Sequence, residues 1–262
     1  MNWARLQKDK TLAHVVPLAG FMIVMGVLGI VVGEFDVFFR NHSDLPWWRR
    51  DPDQWIYPLQ TVIGLAMLGF WWRRYDFNWS PKALIIGTIM GAVGIGFWLL
   101  PTQSYEWLGY ASDKEVPWIL AKLGVQERLD GFDARIFGDP ARFDHAADWA
   151  SLIMRFIRAA VVVALVEEIF WRGFLMRWLL DREGNYWKQP FGKPSWLTFG
   201  VTTVAFMFVH QPIDYAGAAI YGSLTYLVAI WTKSLGACVV MHGIANLLMG
   251  LYAINTGKLG LW

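Results

Sequence analysis

Apolar runs long enough to cross a bilayer constrain this chain more than any other feature. A spanning helix needs about 20 mostly apolar residues. The run AHVVPLAGFMIVMGVLGIVVG at 13–33 is the plainest, and comparable runs occupy 55–72, 83–100, 153–180, 196–210, 218–231 and 235–254. Lipid offers no hydrogen bonds to the backbone, so such segments must satisfy their own peptide groups as helices. The runs predict an all-α polytopic transmembrane helical bundle of about seven helices, or eight if the long connection at 101–148 adds a span. Composition agrees: 17% of the residues are charged and 56% hydrophobic, against about 25% and 45–50% in soluble domains. The 17 Trp fit a membrane chain, because Trp collects at bilayer interfaces. A net charge of +2 is too small to indicate a nucleic-acid partner. The single cysteine rules out an internal disulfide and any Cys-based zinc cluster.

Arg5, Lys8 and Lys10 precede the first run, and no small-residue cleavage site follows it, so it reads as a retained span. An N-terminus in the cytoplasm places Arg73, Arg74, Lys82, Arg177, Arg182, Lys188, Lys193 and Lys233 on the same side. Only Arg40, Arg49, Arg50 and Lys258 then fall in short segments opposite, as the positive-inside rule requires. Within the long connection, 116–125 (VPWILAKLGV) reads either as an interfacial helix or as an ordinary loop. No repeat, low-complexity tract or linker divides the chain. It reads as a single integral membrane domain over 1–262, with N-terminal helices and a loop at 1–147 and motif-bearing helices at 148–262.

A charged side chain at membrane depth costs about 2.5–3.5 kcal/mol on insertion scales, which makes it a functional candidate. The first three spans are almost free of such groups. The fourth carries Glu167-Glu168-Ile-Phe-Trp-Arg172. Glu168 and Arg172 share a helix face at i,i+4 and can pair. Glu167 points about 100° away round the helix and lacks that partner, so it is the carboxylate available as a general base. The fifth run ends Phe206-Met-Phe-Val-His210, and the seventh contains Cys238, His242 and Asn246 on one stripe. Taken singly, each group has a plain packing explanation: a buried ion pair, a core histidine, an interhelical amide. Together they supply a carboxylate, two imidazoles and an amide, a set able to activate water and stabilise an oxyanion. The Cys238–His242–Asn246 stripe also has the residue types of a cysteine protease. Its members lie about 5.4 Å apart along the axis, whereas a nucleophile and its base approach within about 3.2 Å. A proton-coupled carrier would call for more buried ionisable groups than these spans hold.

Glu167-Glu168-x-x-x-Arg172, Phe206-x-x-x-His210 and His242-x-x-x-Asn246 on successive helices resemble the signature of the CAAX-protease and bacteriocin-processing (CPBP, or Abi) intramembrane proteases. The run VEEIFWRGFLMR at 166–177 is similar to prenyl-protease-related members that accompany exosortase sorting systems. The resemblance implies that Glu167 and His210 hold and deprotonate the attacking water. It implies that His242 and Asn246 stabilise the oxyanion, that Glu168 and Arg172 keep the site in shape, and that Phe206 packs beneath it. The implied substrate is a membrane-embedded or lipidated protein met in the lipid bilayer, with no nucleic acid, and the implied location is a bacterial cytoplasmic membrane. Glu167, His210 and His242 could also hold zinc with an open position for water, since the family has been viewed both as metalloproteases and as metal-free enzymes. Metal-free activation is the expectation here. The alternative is a non-catalytic scaffold or immunity-type protein on the same fold, against which the intact motif argues.

Overall fold

The computed structural model describes residues 3–34, 45–111 and 114–262. Among them the chain is all-helical, with 74% helix and no strand. The helices are α1 (Trp3–Lys8), α2 (Lys10–Glu34), α3 (Trp47–Arg50), α4 (Asp53–Trp71), α5 (Pro81–Trp107), α6 (Trp118–Lys122), α7 (Ala146–Leu180), α8 (Trp196–Phe208), α9 (Tyr215–Thr232) and α10 (Leu235–Thr256). Every apolar run of the sequence lies on a helix, except that the 196–210 run outlasts α8 by two residues.

Among the described residues, five helical segments are long and apolar enough to cross a bilayer: Lys10–Val31, Pro81–Trp107, Ala146–Leu180, Pro212–Thr232 and Leu235–Thr256. The chain is an integral membrane protein. Two of the predicted spans fall outside that group. In α4 the 19 residues include Asp53, Gln54 and Gln60, which dilute its apolar content. The 13 residues of α8 cover only about 20 Å at 1.5 Å each, against a hydrocarbon core of about 30 Å. That helix stops at Phe208 because Gln211, the residue before Pro212, is extended (φ −68, ψ 148), as the clash with a proline ring demands. The long connection adds no further span among the described residues. It holds only the five-residue α6, which covers the middle of the 116–125 stretch.

By contacts the chain divides into two compact units, residues 1–75 with 132–166, and residues 76–131 with 167–262. In the first, α4 packs on α2 and on the 146–163 part of α7. Gly64 makes the second contact possible, since a Cβ there would lie 2.4 Å from Val162 Cγ1. The buried Arg158 guanidinium donates to Gln60 Oε1 at 2.7 Å and lies 4.5 Å from the Tyr57 ring.

In the second unit α5 packs along α10 and α9, and α8 packs against α9 and the 169–180 part of α7. A Cβ on Gly87 would lie 2.5 Å from Ala237 O, and one on Gly91 2.6 Å from Met241 O. The Gly87-x-x-x-Gly91 stripe is therefore what lets two backbones touch, the usual means of tight helix association where no hydrophobic force operates between helices. The start of α10 is held from the same side: Gly236 N donates to Phe77 O at 2.7 Å, and Ser234 Oγ accepts from Ala237 N at 3.0 Å as the helix cap.

One local departure matters for the site. The sequence predicts an uninterrupted α-helix through the Glu pair, but α7 widens into π-helix at Ile157–Val163 and Ile169–Leu175, with α-helical Ala164–Glu168 between them. Such widened turns shift the facing of every later residue and recur at functional sites.

Candidate active site

The site is built round a buried carboxylate. Glu168 is 0% exposed and Arg172 1%. Despite the π turn, the predicted i,i+4 pair forms, with Arg172 Nη1 donating to Glu168 Oε1 at 3.1 Å. Arg172 Nη2 donates to Gly222 O at 3.3 Å, and the guanidinium stands 5.1 Å from the centre of the Phe206 ring. His242 Nδ1, from α10, meets the same Glu168 Oε1 at 2.8 Å. One carboxylate oxygen thus receives a cation from its own helix and an imidazole from another. The other oxygen, Oε2, is buried with no hydrogen-bond partner among the described residues.

Glu167 is half-buried, and its Oε2 is also enclosed without a partner. Each residue keeps one unpartnered oxygen, but their surroundings differ: Glu168 Oε1 is committed to Arg172 and His242, whereas the Glu167 side chain meets no cation or imidazole among the described residues. His210 lies two residues beyond the end of α8, where the chain has left the helix. Its Nδ1 is 2.7 Å from Phe206 O, which leaves Nε2 as the outward nitrogen. Asn246 sits one turn beyond His242 on α10 and is half-buried.

Phe206 joins these groups. It is 1% exposed, with its ring centre 4.6 Å from that of His210 and 6.3 Å from that of His242. Gly222 makes room for it, because a Cβ there would stand 3.2 Å from Phe206 Cδ1. Two further aromatic residues, which the sequence reading did not single out, complete the surround. Tyr221 lies 5.8 Å from the His242 ring and stacks on Phe206 at 6.2 Å. Trp98, from α5, meets the His210 ring edge-on at 5.3 Å and Tyr221 at 5.9 Å. The signal that could have found Trp98 is the Gly87-x-x-x-Gly91 stripe, since a helix so close to α10 must contribute to what α10 surrounds.

Cys238 is fully buried, and its Sγ contacts Ser234 O at 3.5 Å and Thr225 O at 4.0 Å. Among the described residues its Sγ bonds only these backbone carbonyls and no imidazole. The zinc alternative does not fit either. Among the described residues no group of three His, Cys, Asp or Glu side chains stands close enough to hold a metal ion. Glu167, His210 and His242 sit on three elements and do not form such a group.

A polytopic helical membrane protein that holds a carboxylate, two imidazoles and an amide on the helices of one unit has the parts of a water-activating hydrolase. Comparison with protein families agrees at that level. Residues 149–248 match the family described as type II CAAX prenyl endopeptidase Rce1-like, and the matched stretch contains Glu167, Glu168, Arg172, Phe206, His210, His242 and Asn246. This is consistent with the CAAX-protease resemblance, and the family is one of membrane proteases. No curated protein matches the chain, and no solved structure does.

Proposed function

We propose that this protein is an intramembrane endopeptidase that hydrolyses a peptide bond in a membrane-anchored or lipidated protein, using water activated by Glu167 and His210. The observation that supports the proposal is the difference between the paired carboxylates: Glu168 Oε1 takes both Arg172 and His242, whereas the Glu167 side chain is held by no cation or imidazole among the described residues. Glu167 takes a proton from the water while His210, held at Nδ1 by Phe206 O, orients that water through Nε2. The water oxygen bonds to the carbonyl carbon, and the charge that develops on the carbonyl oxygen meets His242 Nε2 and the Asn246 amide as donors. Donation from His242 Nε2 requires a ring protonated at both nitrogens, with Glu168 accepting at Nδ1. The C–N bond then breaks, and Glu167 returns its proton to the leaving amine. No step is routed through a metal. The charge pattern supports an N-terminus on the cytoplasmic side.

The test compares the termini of membrane proteins in cells that carry the wild type or Glu167→Gln, a change that keeps volume and removes the base. Processed ends present only with the wild type would establish the activity and name its substrate. Identical termini from two well-expressed forms would remove the protease reading in favour of a membrane scaffold.

A further inference from the structure

His210 differs from the other proposed catalytic groups in that it lies beyond a helix end: α8 stops at Phe208, and His210 N donates back to Met207 O at 3.1 Å. The chain after it forms a single 3-10 turn, Pro212–Asp214, closed by Asp214 N donating to Gln211 O at 2.8 Å. The backbone at 209–211 is therefore set from one side by the last turn of α8 and from the other by where this turn, which leads directly into α9, is anchored. Asp214 supplies the anchor. Its carboxylate is gripped bidentately by Arg128, with Nη1 to Oδ1 at 2.8 Å and Nη2 to Oδ2 at 3.3 Å. Arg128 Nε also donates to Gly260 O at 3.1 Å, and Gly260 N returns a bond to Arg128 O at 2.9 Å. The side chains of the pair are only 7% and 15% exposed, so water screens this interaction much less than a surface pair. A second tie lies beside it: Gly124 adopts φ +88, and a Cβ there would stand 2.6 Å from Ile213 O. The 124–131 loop thus approaches the turn so closely that only glycine fits at that point.

We infer that Arg128 is a positioning residue for the proposed reaction: through Asp214 it fixes the turn that follows His210 and so sets the direction of the His210 ring. The planar fork of arginine suits this task, since it meets both carboxylate oxygens and a carbonyl at once, which a lysine ammonium does not. Trp98 and Phe206 flank the ring, and Phe206 O holds its Nδ1. These contacts limit the ring from the sides, whereas the Arg128–Asp214 clasp sets the backbone from which it projects. The inference rests on the reading of His210 as the water-orienting group, and it gives a function to a loop and a C-terminal turn that carry none of the motif residues.

The experiment uses the full chain, with labelled histidine, in lipid nanodiscs. The five histidines give resolvable ring resonances, and His210→Gln and His242→Gln assign the two that matter. Arg128→Ala and Asp214→Asn are expected to move the His210 resonances while those of His242 stay in place. Processing in cells should fall about tenfold to a hundredfold, the range expected when a reacting group is misplaced by about 1 Å. Arg128→Lys should recover part of that loss. If Arg128→Ala does not fold, Asp214→Asn carries the test, since it keeps the size of the side chain and removes only the charge. An unchanged His210 resonance in folded Asp214→Asn would overturn the inference, as would equal movement of His210 and His242, which would mark general loosening. A selective His210 shift in a protein whose wild type cuts nothing would uphold the clasp and remove the protease reading.

Discussion

Arg172→Ala tests whether the buried cluster is held by charge as the structure shows. Three contacts end with this change: the 3.1 Å bond to Glu168 Oε1, the 3.3 Å bond to Gly222 O and the cation–π contact with Phe206. Glu168 stays behind at 0% exposure, with His242 as its remaining partner. Breaking a buried ion pair from one side costs about 3–5 kcal/mol, mostly because the surviving charge is stranded. The His242 contact keeps the expected loss toward the lower end, at about 3 kcal/mol. Equilibrium unfolding in mixed micelles would measure it against Glu167→Gln, which strands nothing and should change stability by less than about 1 kcal/mol. The double change Glu168→Gln with Arg172→Ala removes the stranded charge, so it should be more stable than Arg172→Ala alone, by about 1–2 kcal/mol of coupling. If Arg172→Ala unfolds no more readily than Glu167→Gln, the charge cluster is not what holds α7 to its neighbours and the reasoning fails.

Other consequences are equally direct. Gly91→Leu should destabilise by about 1–3 kcal/mol or more through overpacking, since its Cβ would lie 2.6 Å from Met241 O, whereas Gly96→Leu should be tolerated because a Cβ there meets nothing within 4 Å; equal melting temperatures for the two would contradict the close approach of α5 and α10. In the extramembrane loop, partial burial raises the Asp133 carboxyl, but the Arg135 hydrogen bonds and charge more than offset this and hold it below its ordinary value. A carboxyl lowered in the folded state stabilises fully above its unfolded pKa and loses that contribution as the pH falls through the folded one. The unfolding free energy of wild type should therefore exceed that of Asp133→Asn at neutral pH by a small margin, about 0.2–1 kcal/mol for so exposed a pair, and the margin should close in acid. A margin that widens in acid would reverse the assignment. Dialysis against a chelator should leave substrate processing intact; loss of processing restored by zinc would return Glu167, His210 and His242 to the role of metal ligands.

The apolar runs alone determined that this chain is a helical membrane protein, because lipid forces every long apolar segment to satisfy its own backbone. They also identified the residues at stake, since a carboxylate or imidazole in such a run is too costly to be incidental. The Glu168–Arg172 pair was legible for a similar reason: i,i+4 spacing on one helix is local geometry, and it survived even the π turn that no pattern in the residues announced. What lies between helices was not legible in this way. That His242 shares an oxygen of Glu168, that Phe206 touches both histidines, and that Trp98 and Tyr221 complete the surround all depend on how closely separate helices approach. The approach is decided by small residues such as Gly87, Gly91 and Gly222, whose effect lies in the side chains they lack. The end of α8 follows from local chemistry as well: hydropathy runs on past Phe208, but the backbone must leave the helix ahead of Pro212. Only tertiary structure brings Arg128 to Asp214, 86 residues apart in the chain, because an ion pair between distant loops has no periodicity to reveal it.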